Sequence, residues 1–351
     1  MKLFECPNCS KRLYFENAQC LNCGSFVSYD PDAGGFVLSG VDGNFQCLNA
    51  TECSCNWTAP EASFCRACAL NKIIPDLSVD GNRQRWTRVE AAKRRAIYSF
   101  LAFGLPVEPK TGPDDQTGIA FDFLASTPGA GPGGEHILTG HDNGLITLNV
   151  AEADSAEREK MRVEMGENYR TLLGHFRHEL GHYYWDRLIR DDPARLEEFR
   201  AMFGDETLDY EQALQTHYAE GPKPGWQESH ISAYAASHPW EDWAETWAHY
   251  IHITDTLEMV AALNFPLGKL ETAENDRKQV TQQAQPDESA PPAAPEGDFA
   301  PILARWLVLS EASNAINRCM GLPDLYPFVI SQTIGQKLGF VHRLLTNNVS
   351  R

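Results

Sequence analysis

His178-Glu179-Leu180-Gly181-His182 carries two imidazoles four residues apart, with a carboxylate directly after the first. On an α-helix, residues at that spacing project from one face a turn apart, so both rings can reach a single metal ion. Glu179 is placed to lean over the ion's open position and take a proton from a bound water. Because H-E-x-x-H arises by chance in many chains, the flanks carry the argument. Leu172, Leu173, Phe176, Leu180, Tyr183 and Tyr184 give the segment a broad apolar face, which predicts one uninterrupted helix.

A second segment, His238 to His252, has the same kind of patterning. Pro239 suits a first helical turn, and Trp240, Trp243, Trp247, Ala248 and Ile251 recur at three- and four-residue steps. Glu241 and Glu245 then share a face, one turn apart. Two carboxylates that close repel, and a nearby cation reverses the sign of that interaction. A zinc site with two histidines and one glutamate needs its carboxylate from outside the H-E-x-x-H helix. Such sites also use a further acid to orient a ligand histidine through its other ring nitrogen. The Glu241/Glu245 pair can fill both roles.

Nine of the ten cysteines lie between residues 6 and 68. Cys6-Pro-Asn-Cys9 and Cys20-Leu-Asn-Cys23 are two C-x-x-C turns, each pointing two thiolates at one ion, and together they complete a closed tetrahedral site of the zinc-ribbon kind. The second group offers five thiols for four positions: Cys47, Cys53, Cys55, Cys65 and Cys68. A module this small has little core of its own, so metal binding supplies much of its folding free energy. Cys319 stands alone in a helical stretch and is expected to be a small buried apolar residue.

Taken together, the two helical segments resemble the gluzincin metallopeptidases, in which H-E-x-x-H is followed by a ligand Glu and, four residues on, by another acid. The Glu241-Asp-Trp-Ala-Glu245 run is similar to the ligand helix of the anthrax lethal factor type, which also carries a tyrosine seven residues before its ligand Glu; Tyr234 stands at that spacing. At whole-chain level the sequence resembles a bacterial family of zinc-binding metallopeptidases with an N-terminal zinc-ribbon region. The runs that carry this are Thr139 to Asp154, Tyr169 to Asp186, Ser232 to His252 and Met320 to Pro327. The resemblance covers nearly everything except about residues 272–298.

This resemblance implies a zinc peptidase. His178, His182 and Glu241 would hold the catalytic ion, Glu179 would be the general base, and Tyr234 would donate to the developing oxyanion. Glu245 would brace a ligand histidine. If Glu245 were the ligand instead, His249 one turn later would orient it; usage in the resembled families favours Glu241. The family pattern places a cysteine directly before Asn56-Trp57, which implies Cys47, Cys55, Cys65 and Cys68 as the second structural set. Cys53 is then the spare thiol, with a swap between Cys53 and Cys55 left open. Three zinc ions follow, one catalytic and two structural, although two imidazoles and a carboxylate also suit iron or manganese.

Composition narrows the partners. A net charge of −18 argues against a broad grip on nucleic acid or anionic membrane. The local run of Arg83, Arg85, Arg88, Lys93, Arg94 and Arg95 reads as a solvated helix face with snorkelling stems. There is no apolar run of membrane-spanning length and no hydrophobic signal core after Met1, so the expected location is the cytoplasm, where paired cysteines bind metal. The expected partners are a peptide or protein substrate and a protein docked on the ribbons.

The organisation that follows is an α+β fold: tandem zinc ribbons over 1–72, a mainly helical zincin-like metallopeptidase domain with a small sheet over 73–271, a disordered linker or loop over 272–298, and C-terminal helices over 299–351 that pack on the catalytic core. Within it, helices are expected over 85–103, 154–190, 194–219, 299–320 and 331–345, and strands near 119–124 and 145–150. By analogy with zincin folds, the 145–150 strand would be the edge that pairs with extended substrate. His175, His141, His252 and Asp186 receive no role. Two rival readings remain: an inactive zincin-like scaffold whose ribbons bind protein or nucleic acid, and a regulatory peptidase with one protein target whose ribbons gate the site.

Overall fold

The computed structural model describes residues 2–125, 139–164, 171–265 and 299–349. The expected linker over 272–298 and the middle of the expected 154–190 helix lie outside the described residues. The chain divides into two compact units, Met1–Ala201 and Met202–Ser350.

The first unit begins with three small antiparallel strand pairs: β1 (Phe4–Glu5) with β2 (Arg12–Leu13), β3 (Val27–Asp30) with β4 (Gly35–Leu38), and β5 (Phe45–Gln46) with β6 (Thr58–Ala59). Strands this short bury little, and what replaces a conventional core is a cluster of rings. Phe15 and Trp57 each stand 5.2 Å from Tyr29, and Tyr98 closes the cluster 5.0 Å from Phe15. Tyr98 belongs to α1 (Asn82–Ala102), so the ribbons share their core with the helix that follows them. The Asn56 amide donates to the carbonyls of Phe15 and Asn17, tying the second cysteine cluster to the first.

The basic run on α1 departs in part from the sequence reading. Lys93 and Arg94 are buried, because Glu90 on the same helix is also buried and pairs with Lys93 at 2.8 Å. Arg83, Arg85, Arg88 and Arg95 pair with Glu52, Asp154, Asp154 and Glu16. Only Lys93 and Arg94 depart from the expected solvated face; the other four arginines stay partly exposed and ion-paired at the surface.

A four-stranded sheet follows, in the order β7 (Asn71–Ile73), β8 (Ala120–Leu124), β10 (Leu145–Asn149), β9 (Gly140–Asp142). β7 and β10 run parallel to β8, whereas β9 is antiparallel to β10. The strand at 145–150 is therefore internal, and the edges are β7 and β9, the latter beside β10. Asn143 and Gly144 both have positive φ and form the two-residue turn that joins β9 to β10, as Asn-Gly favours.

Phe121 and Phe123 of the sheet pack on Phe176 of α3 (Leu172–Trp185). Thr171 caps α3 by accepting the Gly174 N–H, and the helix runs on into one wide π turn at Asp186–Arg190. In sequence, α2 (Ser155–Glu164) comes between β10 and α3.

The chain leaves the first unit within α4 (Pro193–Phe203). The expected continuous helix over 194–219 is broken: Gly204 adopts φ +103° and a turn intervenes before α5 (Tyr210–Glu220). In the second unit α6 (Pro239–Ala262) is the central helix, with α7 (Ala300–Cys319) and α8 (Gln332–Val349) packed on it. Trp243 and Trp247 sit 5.4 Å apart and fully buried, and Trp243 meets Phe340 of α8. Lys337 of α8 buries its ammonium against Asp242 at 2.5 Å and the Ser229 carbonyl. Cys319 is exposed, contrary to expectation: it ends α7, where its neighbour Met320 also faces solvent.

Candidate metal centres

Two cysteine centres are formed in the first unit. The sulfurs of Cys6, Cys9, Cys20 and Cys23 all lie within 4.8 Å of one another, as do those of Cys47, Cys55, Cys65 and Cys68. The closest separations are 3.7 Å for Cys6–Cys23 and Cys9–Cys20, and 3.6 Å for Cys55–Cys65. Tetrahedral zinc with Zn–S bonds of about 2.3 Å would place sulfurs about 3.8 Å apart, so both sets fit that ion. The second set is wholly buried and the first partly exposed. Cys53 stands outside the tetrahedron but against it, in a group with Cys68 and Glu90, and Arg94 donates toward its sulfur from 3.8 Å.

The helix α3 carries the histidine candidates. His178, Glu179 and His182 are buried, and the two imidazole rings lie 4.9 Å apart at 83°. Such a pair of imidazole nitrogen donors is chemically suited to zinc. The edge strand β9 stands beside this helix, and its His141 faces His182 with ring planes 19° apart. His141 Nε2 accepts the Gly144 N–H at 2.8 Å; burial first, then His182 and Lys110, depress its pKa to about 3, so the ring stays neutral. Tyr183 anchors α3 by donating to the Thr117 carbonyl at 2.6 Å. His175 bonds Glu152, itself buried, at 2.7 Å. Asp186 pairs with Arg190 across the π turn, and burial raises its pKa.

The helix α6 carries the carboxylate candidates. His238 caps it, accepting the Trp240 N–H with Nδ1, and Pro239 starts the first turn. Glu241 is fully buried in that turn, where the helix N-terminus favours an anion, and its Oε1 accepts the Tyr210 hydroxyl at 2.7 Å. Glu245, one turn on, accepts the Ser232 hydroxyl with Oε2 at 2.7 Å. Tyr234 is half-buried, with its ring 6.0 Å from that of His217. His249 turns Nδ1 toward the Tyr326 hydroxyl at 2.8 Å. Asp242, between the two glutamates, is pushed up to about 7 by burial, with Lys337 opposing.

Residues 82–344 match the family model described as "Putative zinc-binding metallo-peptidase", and residues 3–79 match a zinc-ribbon domain. The chain belongs to this metallopeptidase family. Relatives in Mycobacterium bovis and Mycobacterium tuberculosis, each named only as an uncharacterized protein, are 40% identical over 349 residues, covering 98% of this chain and 95% of theirs. No solved structure matches.

The chain thus carries two tetracysteine sets that fit zinc, in keeping with the zinc-binding family to which it belongs. Among its described residues, no helix is long and apolar enough to cross a membrane. Sequence reasoning missed three partners of the candidate residues. Tyr210 and Ser232 reach acids 31 and 13 residues away, a pairing no local pattern reveals. His141 was visible as an imidazole beside an Asn-Gly turn, the one signal that could have placed it on a hairpin edge.

Proposed function

We propose that the protein is a zinc-dependent peptidase. His178, His182 and Glu241 would hold its catalytic ion, and two further zinc ions would staple the ribbons through Cys6, Cys9, Cys20 and Cys23 and through Cys47, Cys55, Cys65 and Cys68. The observation that supports this most is the state of α3: His178, Glu179 and His182 are all buried on one continuous helix of a chain that belongs to a zinc-binding metallopeptidase family. A purely structural ion would have no use for a buried carboxylate between its two ligands.

When bound, zinc lowers the pKa of a coordinated water to about 7 and polarises a carbonyl oxygen. Glu179 takes the water's proton on its carboxylate as the oxygen attacks the scissile carbonyl carbon, then gives that proton to the leaving amine. Tyr234 donates its hydroxyl to the oxygen on which negative charge develops, where loss of one donor costs roughly a hundredfold or more in rate. Glu245, steadied by Ser232, holds a ligand histidine from its far nitrogen. β9 is the strand available to pair with extended substrate, in place of β10.

Glu179→Gln tests the reading with a mixed peptide library analysed by mass spectrometry. The wild-type chain is expected to cleave the library, and the variant to lose cleavage by several orders of magnitude while keeping all its zinc. Equal cleavage by both would refute the reading.

A further inference from the structure

We infer that Tyr210, at the start of α5, is the positioning residue that sets Glu241 for metal binding; this rests on Glu241 being a zinc ligand. None of the residues of α5 is buried, so hydrophobic burial does not explain where that helix lies. Polar and ring contacts hold it instead, His217 against Tyr234 along the helix and Tyr210 at its start. The Tyr210 hydroxyl donates to Glu241 Oε1 at 2.7 Å, and its ring stands edge-on to His238 at 5.2 Å and to Trp240 at 6.0 Å.

The start of α5 is fixed from both sides of this contact. Asp209 caps the helix by accepting the Gln212 N–H. His238 accepts the Trp240 N–H with Nδ1, so Nε2 carries the proton and donates to the Leu208 carbonyl at 3.1 Å. The residue that caps α6 therefore also holds the backbone two residues before Tyr210. One imidazole sets the spacing between the hydroxyl donor and the carboxylate acceptor.

A fully buried carboxylate needs hydrogen-bond partners, and a hydroxyl donating to an ionised oxygen makes one of the stronger kinds. With Oε1 accepting the Tyr210 hydroxyl, Oε2 is the oxygen that would serve a metal ion. That suits a site of three protein ligands with a position left for water. Partners of this kind fix the ligand's orientation, and losing one typically weakens metal binding roughly 10–100-fold.

The test is zinc affinity of the full chain, measured by competition with a chromophoric chelator, for Tyr210→Phe, Tyr210→Leu and Glu241→Gln. Tyr210→Phe keeps the ring and removes only the hydroxyl. We expect it to weaken one of three ions roughly 10–100-fold and to leave the two cysteine-bound ions unchanged. Tyr210→Leu should fall to the same level, placing the effect in the hydroxyl. A drop in Tyr210→Leu alone would assign the effect to ring packing and overturn the proposal, as would wild-type affinity in both. If Glu241→Gln keeps all three ions at wild-type affinity, the reading of Glu241 as ligand fails instead, which separates the two claims.

Discussion

The His141 and His182 rings lie 6.3 Å apart and almost parallel, joining the edge strand β9 to the helix that carries the H-E-x-x-H segment. The Asn143–Gly144 turn secures this arrangement, since Gly144 gives its N–H to His141 Nε2. At φ +81°, a Cβ on Gly144 would stand 2.2 Å from the Gly118 carbonyl oxygen. Gly144→Ala therefore combines left-handed strain with a backbone clash, and it should destabilise the first unit by well over ~1 kcal/mol. Urea unfolding followed by tryptophan fluorescence measures this; an unchanged midpoint would contradict the geometry.

The five clustered thiols of the second cysteine group divide four to one. Cys55→Ser should cost one zinc ion per chain, whereas Cys53→Ser should keep the full complement, because only Cys55 lies in the buried tetrahedron. Elemental analysis of the two variants decides it, and the reverse result would exchange the two cysteines.

Glu90 and Lys93 form an ion pair with both side chains fully buried. Removing one partner strands the other charge, which costs about 3–5 kcal/mol in comparable buried pairs. Glu90→Ala should show a loss of that size in denaturant unfolding. Adding Lys93→Met should recover part of it, and a double variant no better than the single would argue that the pair is not coupled.

Acid sensitivity should centre in part on His230. Burial first, then the Lys337 and Lys223 ammoniums, lower its pKa to about 4. A histidine depressed in the fold favours unfolding when protonated, so stability is present above the unfolded pKa of about 6.5 and is lost as pH falls from there toward 4. His230→Gln should flatten that limb of the stability–pH curve; an unaltered slope between pH 6.5 and 4 would remove His230 from the account.

Several elements were legible because local periodicity specifies them. The apolar stripe around His178 and His182 gave α3, Pro239 with the tryptophan spacing gave the start of α6, and the C-x-x-C pairs gave the ribbons. What escaped was set by contacts distant in sequence. Gly140-His-Asp142 is too short to show alternation, so the edge strand beside β10 was invisible. Lys93 and Arg94 looked solvated because a buried charge is recognisable only beside its partner, and the Glu90 that pairs with them is itself a charged residue. Tyr210 was one tyrosine among eleven until the fold brought it to Glu241.

Zinc content per chain is the most direct measure of the central claim. By elemental analysis the wild-type protein should carry three ions and a His178→Ala/His182→Ala variant two, with the cysteine-bound pair retained. Three ions in the variant, or two in the wild type, would contradict a catalytic zinc held by these histidines.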